Sequence, residues 1–497
     1  MELTFQKQSV PYLRRLFSRS ETQEQTQELH LGEGLPDAGR VLGAWGQCVA
    51  RGKQWSGSEL SLSGAVRAWV LYAPEDGSEN RVAEIWIPVT FRWELPEAEE
   101  DGKFTAKMQL KSIDARVSGA RKILVRANVT AFVVATVPDE AAFPMLPAVP
   151  EDVQTLVRTY PLDIPREDGE KTFLTEDELT LPPSQPPVGK ILCLRLSPRI
   201  SETKLLGGKL VFRGQGDVKL SYLTQEGRFA EWEAQLPFSQ FADLGGEYSA
   251  LAHAQVEPLL TGLEAELTDG RIPIKCSYAG QYTVYDRVEL SVCQDAYSPL
   301  RPVQVHTEEI TLPVELEKRT QTLDFSERFR ADAAALEDIS LQWDIPVARP
   351  TEQGVELRFC AQVQSVYKDP EGMLRCAGNR LEKSIELPAG QGSFLLVSVR
   401  ELPVKASLSP EGMEISGSLE LTLQAMAEQV FSAVGALTIE AEQEPDPKRP
   451  SLLLRRMEQA ELWDLAKAAG STVERIRLAN HLSGEPEQGK MLIIPVG

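Results

Sequence analysis

The four histidines are the residues of this chain with the clearest potential for proton transfer or metal binding. They stand alone in the sequence, and none forms an HExxH motif or another paired spacing that metal ligands require. A histidine without such a neighbour is more often a surface or loop residue than a ligand, and we interpret all four in that way. They are His30, His253, His306 and His481.

Motifs for nucleotide binding and nucleophilic catalysis do not occur in the sequence. Gly214-Gln215-Gly216 lacks the third glycine and the following helix of a dinucleotide site, and neither a Walker A motif nor GxSxG is found. The 73 Asp and Glu residues will lie near one another by chance, so acid and base roles cannot be assigned from them. The sequence therefore predicts a non-enzymatic protein with no catalytic residue, metal site or cofactor. A hydrolase with an unfamiliar β-domain active site is the remaining enzymatic hypothesis, and no residue supports it.

Six cysteines are spread over the chain without a CxxC pair, and several fall within strand-like runs. We interpret them as reduced, mostly buried thiols rather than as disulfides or metal ligands. They are Cys48, Cys193, Cys276, Cys293, Cys360 and Cys376.

The formal charge of −21, from 73 acidic and 52 basic residues, argues against nucleic acid as a partner. Phosphate binding needs clustered cations, and the basic groups here are small and local. No run approaches the roughly 20 apolar residues that cross a bilayer. Residues 1–19 lack the apolar core and cleavage site of a secretory signal. We therefore expect no transmembrane segment and a cytoplasmic location.

A short basic segment near the start of the chain combines Arg14, Arg15 and Arg19 with apolar neighbours. We predict residues 1–27 as an N-terminal basic amphipathic segment and interpret it as a frayed helix. Contact with an anionic membrane surface or a partner groove is the alternative. The apolar neighbours are Tyr12, Leu13, Leu16 and Phe17.

Three stretches of thirteen residues align without gaps, at residues 60–72, 210–222 and 355–367. Their alternate positions are mostly apolar, which is typical of strands because successive side chains leave opposite faces of a pleated backbone. Each stretch ends in a tyrosine that is followed five positions later by a glycine. The pairs are Tyr72 with Gly77, Tyr222 with Gly227, and Tyr367 with Gly372. Spacings of 150 and 145 residues indicate one whole domain per repeat.

Each of these tyrosines is expected to end a strand, with its ring buried and its hydroxyl hydrogen-bonded. The glycine that follows can supply the positive φ of a hairpin, so return strands are predicted within 82–88, 229–237 and 381–388. A further glycine precedes another strand-like run in every repeat. These are Gly119 before 123–133, Gly270 before 272–284, and Gly412 before 413–425.

The patterns together predict a mainly β protein of three antiparallel, sandwich-like modules followed by a small α+β domain. Proline-rich or polar connections mark the boundaries, as in residues 138–150 and 441–450. The predicted divisions are the segment 1–27, modules at 28–150, 151–300 and 301–440, a linker at 441–450 and a C-terminal domain at 451–497.

The C-terminal domain has a βααβ pattern: a strand at 452–457, helices at 461–469 and 473–480, and a strand at 491–495. Thr472 is a plausible N-cap of the second helix. The sequence ELWDLAKAAGSTVERIRLANHL, followed by GKMLIIP, resembles a LysM domain. Many LysM domains that bind peptidoglycan or chitin have Gly-Asp-Thr before the first helix, where this chain has Gln459-Ala460-Glu461.

A LysM-like end preceded by modules with a strand-Tyr-turn-Gly pattern resembles the SPOCS-domain family of spore-forming Firmicutes, in its clostridial spore coat and cortex morphogenesis type. In that family, SPOCS modules precede a LysM domain that recognises another protein, the stage IV sporulation protein A ATPase of the coat basement layer. The resemblance implies three SPOCS modules in a non-enzymatic scaffold or adaptor of spore envelope assembly. It also implies a location in the mother-cell cytoplasm, with recruitment to the forespore surface and spore coat.

The LysM resemblance implies a partner-binding groove between the loop before the first helix and the loop after the second. Trp463 is interpreted as a core residue rather than a contact, and Ile493 and Ile494 alternate, so that one rims the groove while the other packs inside. The alternative function is LysM-mediated binding of peptidoglycan in the cell wall or spore cortex, against which the altered turn and the lack of an export signal count. The predicted groove residues are Met457, Gln459, Ala460, Glu461, Asn480, Leu482, Ser483, Gly484 and Ile493.

Overall fold

The protein is mainly β, as predicted, and its sheets are antiparallel. The computed structural model describes residues 1–97, 102–352, 354–388, 394–442, 450–457 and 461–496. Neither helix in this described part is long and apolar enough to span a membrane. The elements are β1 (Glu2–Thr4), β2 (Gln6–His30), β3 (Ala38–Ser56), β4 (Glu59–Pro74), β5 (Arg81–Glu94), β6 (Lys103–Gly119), β7 (Lys122–Met145), β8 (Gln154–Leu179), β9 (Val188–Leu206), β10 (Lys209–Thr224), β11 (Phe229–Asp243), β12 (His253–Ala265), β13 (Ile272–Tyr297), β14 (Val303–Phe329), β15 (Ala335–Trp343), β16 (Val347–Thr351), β17 (Gly354–Lys368), β18 (Leu374–Pro388), β19 (Phe394–Glu401), β20 (Lys405–Ser409), β21 (Gly412–Ile439), β22 (Leu452–Arg456), α1 (Leu462–Ala469), α2 (Val473–Ala479) and β23 (Met491–Pro495).

The first segment, residues 6–145, is built from two sheets that share one core. One sheet has the order β3-β4-β5 and the other β2-β7-β6. Leu60, Val66 and Phe91 from the first sheet pack with Ile123 and Val129 from the second, and all five are fully buried. The alternation of apolar residues along these strands therefore fills the space between two sheets, which is a sandwich-like arrangement.

The same strand order occurs in the second segment, residues 154–297, and the third segment, residues 303–439. The second segment has sheets β9-β10-β11 and β8-β13-β12. In the third, β17 lies between β18 on one edge and β15 with β16 on the other, while β14, β19 and β20 pair with β21. The predicted boundaries at 150 and 300 lie between strands, whereas the boundary at 27 lies inside β2. The connection predicted at 138–150 is wrong in its first part, because β7 continues to Met145. Most of the linker predicted at 441–450 lies outside the described residues. That the segments are three copies of one domain stays a prediction.

The interpretation of residues 1–27 as a frayed helix is wrong. These residues form β1 and most of β2, and β2 pairs with β7 from Gln6 opposite Met145 to His30 opposite Lys122. A bulge between Arg15 and Phe17 breaks the two-residue alternation, so the apolar positions imitate helical spacing. Pairing with a strand more than a hundred residues away decides the structure of this segment.

The three predicted hairpins are confirmed, with φ values of 73°, 75° and 79° at Gly77, Gly227 and Gly372. The tyrosines that precede these glycines differ in burial and in the hydrogen bonding of their hydroxyls. The hydroxyl of Tyr72 donates to the carbonyl of Pro36 at 3.1 Å, and that of Tyr222 donates to the carbonyl of Pro186 at 2.9 Å. Both residues are fully buried. For Tyr367 the prediction is wrong, because it is half-buried and its hydroxyl has no hydrogen-bond partner in the described part of the chain.

An apolar cluster at the middle of the long strands joins the three segments. Phe143 from the first segment meets Phe431 from the third edge-on, with ring centroids 5.7 Å apart, and Tyr160 from the second lies 5.2 Å from the same ring. The buried members of this cluster are Val10, Ala141, Phe143, Leu162, Ile164, Leu290, Val292, Leu312, Val314, Ala427, Phe431 and Ala433. The three segments therefore pack on one another around a common core.

Two glutamines from neighbouring segments satisfy backbone groups along the β6 edge. The side chain of Gln281 accepts from the N–H of Ala106 and donates to its carbonyl, both at 2.8 Å. Gln362 makes the same pair of bonds to Ile113, both at 2.9 Å. Each amide side chain stands in for one residue of a neighbouring strand, so the edge is satisfied by the second and third segments.

Lys219, Glu231 and Asp338 form a buried charged cluster between the second and third segments. The Lys219 ammonium lies 3.1 Å from Glu231 and 3.2 Å from Asp338. Burial, followed by the hydrogen bond and charge of Asp338, raises the pKa of Glu231 to about 8. When both carboxyls are ionised, Oδ2 of Asp338 has no donor among the described residues. A proton on Glu231 supplies that donor.

The tyrosine hydroxyls provide a first prediction. Tyr222→Phe removes one buried hydrogen bond and should cost about 1 kcal/mol, a fall in melting temperature of ~2–4 °C. Tyr367→Phe is the matched control and should leave the temperature unchanged. Thermal unfolding followed by circular dichroism measures both variants. Equal shifts in the two variants would contradict the different roles of the two hydroxyls.

The charged cluster makes stability depend on pH. Because the folded state raises the pKa of Glu231 above its unfolded value of 4.5, its contribution is fully present below pH 4.5 and is lost as the pH rises through about 8. Glu231→Gln keeps a donor to Asp338 and removes the titrating proton. We expect the fall in melting temperature between pH 6 and pH 9 to be several degrees smaller in this variant than in the wild type. An identical pH profile for the two proteins would show that the cluster does not titrate in this range.

Candidate functional site

The candidate site lies in the C-terminal unit, by which we mean the described residues 450–457 and 461–496. β22 and β23 form a two-stranded antiparallel sheet, and α1 and α2 pack on one face of it. The core residues of this unit are at most 1% exposed. They are Leu462, Ala466, Ile476, Leu492 and Ile494. The predicted βααβ order is observed, with element bounds that differ from the predicted ones by one residue at most.

Local capping explains where the two helices begin and end. Glu461 and Asp464 form a reciprocal capping box at the start of α1. Gly470 ends α1 with a φ of 61°, a left-handed conformation that favours glycine. The hydroxyl of Thr472 accepts from the N–H of Arg475 at 3.2 Å, which confirms the predicted N-cap of α2.

The predicted groove residues divide into exposed and structural ones. Ser483, Gly484 and Ile493 are exposed, whereas Leu482 is half-buried against the core of the unit. Met457 is buried, and its backbone bonds to Lys490 and Gly489. Gln459 and Ala460 lie outside the described residues. Ile493 points outward while Ile494 packs inside, which is the alternation that the sequence predicted.

Asn480 fastens α2 to β23. Its side-chain oxygen accepts from the N–H of Ile493 at 2.8 Å, and its side-chain nitrogen donates to the Ile493 carbonyl at 2.6 Å. The same nitrogen also donates to the carbonyl of Ile476 at 2.8 Å. The amide is therefore occupied by backbone groups on both sides, so its main role in the structure is to position the edge of β23.

Glu461, the remaining groove residue, contacts the second segment. Its two carboxylate oxygens accept from the Arg158 guanidinium on β8 at 2.6 and 2.7 Å. Both side chains are about half exposed, so this pair contributes orientation more than stability. Glu461, the residue immediately before α1, consequently faces β8.

Four more contacts hold α1 and the turn that follows it against the end of β13. Asp295 accepts from the Trp463 indole at 2.8 Å and from the Lys467 ammonium at 2.7 Å. The hydroxyl of Tyr297 donates to the carbonyl of Ser471 at 3.0 Å, and its ring meets Trp463 edge-on at 4.8 Å. Burial, with the Asp295 charge second, raises the pKa of Tyr297 to about 12, so its hydroxyl stays protonated and can donate.

These contacts refine the interpretation of Trp463. The indole is half-buried and packs against the core of the C-terminal unit, as predicted, but its N–H reaches Asp295 on another segment. Arg158, Asp295 and Tyr297 contact the C-terminal unit, which the sequence did not indicate. They lie more than 150 residues from α1, and nothing in their local pattern distinguishes them from other strand residues.

The described residues offer little that could carry out a reaction. No group of three His, Cys, Asp or Glu side chains in them is arranged to hold a metal ion. A cleft of about 520 Å³ lies between the first and second segments and is lined by Val10, Phe143, Leu290 and Cys293 among others. Burial raises the pKa of Cys293 to about 11, so it is a thiol rather than a nucleophilic thiolate at neutral pH. None of the six cysteines forms a disulfide bond.

Part of the chain matches a family model. Residues 187–268 match the family model described as SipL, SPOCS domain. This range covers β9, β10, β11 and β12 in the second segment. The match supports a SipL-like SPOCS protein with a link to sporulation. No curated protein and no solved structure matches the chain.

The contacts of α1 give a prediction about how the C-terminal unit is held. Asp295→Ala removes the acceptor of both Trp463 and Lys467, so the amides of α1 should exchange with deuterium more rapidly. We expect about a tenfold increase, the factor that ~1.4 kcal/mol produces. Hydrogen–deuterium exchange with mass spectrometry measures it.

Glu487→Ala is the matched control, because this exposed carboxylate makes no side-chain contact among the described residues. It should leave the exchange of α1 unchanged. An unaltered rate in Asp295→Ala would show that the contacts with β13 do not hold the unit in place.

Proposed function

We propose that this protein is a non-enzymatic adaptor of spore coat and cortex assembly, of the SipL type, whose C-terminal unit is a LysM domain that docks onto a coat-basement ATPase similar to stage IV sporulation protein A. The observation that carries the proposal is the SPOCS-domain match of residues 187–268. On this proposal the protein works in the mother-cell cytoplasm and is recruited to the forespore surface.

The recurrence of one strand order supports the assignment of all three segments as SPOCS modules. β8, β13 and β12 in the matched segment have counterparts in β2, β7 and β6 of the first. The common apolar cluster joins the modules. Three joined modules offer several contact surfaces at fixed spacing. Weak contacts of these surfaces with a partner can therefore increase the affinity that docking of the LysM domain provides.

The sequence before α1, Gln459-Ala460-Glu461 in place of Gly-Asp-Thr, supports a protein partner more than a glycan. Glu461, at the altered turn, is paired with Arg158. A glycan that used the Glu461 carboxylate would have to compete for it with Arg158 of the second segment. The loop at Ser483 and Gly484 stays exposed on the other side, so peptidoglycan binding remains the second candidate and is included in the test.

The test is a capture experiment with the full chain and a version that ends at Pro450. Each is presented to the purified ATPase and to purified peptidoglycan. We expect the full chain to capture the ATPase and the shorter version to lose at least about tenfold of that binding, or ~1.4 kcal/mol. Circular dichroism of both proteins controls for folding of the β segments.

The other outcomes discriminate between the hypotheses. Binding to peptidoglycan alone would favour a wall or cortex protein. ATPase capture that survives the truncation would place the docking surface in the β segments and contradict a role of the LysM domain in docking.

A further inference from the structure

The outer face of the β22–β23 sheet carries a row of exposed apolar side chains. Leu454 lies opposite Ile493, and Arg456 lies opposite Met491. The exposed fractions are 60% for Leu452, 68% for Leu454, 56% for Met491 and 42% for Ile493. Leu492 and Ile494 alternate with them and are fully buried under the helices. Exposed apolar side chains in a contiguous row are typical of an interaction surface.

The two edges of this sheet are not equivalent. The Asn480 side chain hydrogen-bonds to the backbone N–H and carbonyl of Ile493, so these groups at the centre of the β23 edge cannot pair with another strand. The residues on either side of β22, Ser451 and Met457, form backbone hydrogen bonds with residues that flank β23. Strand alternation therefore turns the backbone groups of Leu452, Leu454 and Arg456 to the opposite side. Within the described residues, β22 pairs with no strand besides β23.

The opposite side of the unit is already occupied. α1 contacts Arg158, Asp295 and Tyr297 of the second segment. A partner can therefore approach the β22 edge without displacing α1. An unpaired edge strand beside exposed apolar side chains is the arrangement to which extended peptides add as a further strand.

The charges near this edge favour an acidic partner. Arg455 and Arg456 are exposed at the end of β22, and neither has an ion-pair partner in the part of the chain that the structure describes. Lys490 is exposed just before β23. A second copy of this chain fits less well, because antiparallel pairing would place Arg456 of each copy opposite Leu452, and two chains of charge −21 repel each other.

We propose that the outer edge of β22 binds an extended segment of a partner protein, one that alternates apolar and acidic side chains. The segment continues the two-stranded sheet by backbone hydrogen bonds to Leu452, Leu454 and Arg456. Its apolar side chains cover Leu452 and Leu454 on the outer face, and its acidic ones lie on the other face of the sheet, near Arg455. The inference rests on the adaptor proposal for the identity of the partner, whereas the binding edge follows from the geometry.

A peptide experiment tests the edge independently of any natural partner. The probe is a fluorescein-labelled heptapeptide of alternating Val and Glu, and the comparison peptide has Lys in place of Glu. Both are titrated against the full chain by fluorescence anisotropy. We expect the acidic peptide to bind at least about tenfold more tightly than the basic one. Equal affinities would overturn the proposal.

Two variants locate the binding site. Leu454→Pro removes an outward N–H without removing a bond to β23, and should weaken binding of the acidic peptide at least about tenfold. Leu478→Lys is the matched control, because Leu478 on α2 is equally exposed at 70%, and should bind as the wild type does. Unchanged binding by Leu454→Pro would overturn the proposal.

Deuterium exchange of the wild-type chain locates the bound peptide without any substitution, so this result does not depend on the folding of Leu454→Pro. With the acidic peptide bound, the amides of residues 452–456 should become protected. Protection at 480–484 instead would place the ligand in the predicted loop groove and overturn the proposal. Sedimentation tests whether the edge binds a second copy of this chain. A wild-type dimer that becomes a monomer in Leu454→Pro would overturn the proposal, because the occupant of the edge would then be a second copy.

The purified ATPase separates this inference from the proposed function. If the wild-type chain does not capture the ATPase, the proposed function is wrong, and the peptide titration still decides the binding edge. If the ATPase binds the wild type and Leu454→Pro equally well, the adaptor proposal stands and the β22 edge is not its docking site.

Discussion

The requirement that backbone polar groups at sheet edges find partners governs this structure. β6 has β7 on one side, and Gln281 and Gln362 reach it from the other two segments. Because an amide side chain satisfies both an N–H and a carbonyl, each glutamine replaces one residue of a neighbouring strand. The segments are thereby held in a defined register as well as in contact.

The interfaces between segments combine apolar packing with a few buried polar groups. The apolar cluster around Phe143 and Phe431 supplies non-directional attraction. Lys219, Glu231 and Asp338 add directional bonds, and removal of Lys219 would leave the buried Asp338 carboxylate without its cationic partner. The packing holds the segments together, and the polar groups select one relative arrangement.

Much of the fold was predictable because its signals are local. The hairpins at Gly77, Gly227 and Gly372 follow from strand alternation and a required positive φ, and the capping of α2 follows from Thr472. The N-terminal strand was missed because the bulge at Arg15 hides its alternation. Tyr367 was misjudged because a hydroxyl partner far along the chain cannot be inferred from the strand that carries the tyrosine.

The candidate site was predicted less completely for the same physical reason. The outward position of Ile493 follows from alternation on a strand. The pairing of Glu461 with Arg158 and the contacts of Asp295 depend on how distant segments pack, and one sequence carries no signal for that. Asn480 was predicted as a groove residue, and its bonds to the backbone of β23 are a structural role that the sequence did not indicate.

That use of Asn480 has a consequence for the size of the assemblies that the C-terminal unit can build. A two-stranded sheet with both edges free could pair on either side and extend into a chain of sheets. With the β23 edge closed at Ile493, only the β22 side remains able to add a strand. For strand addition the unit therefore offers a single edge, and a partner bound in this way would form a one-to-one complex instead of a polymer.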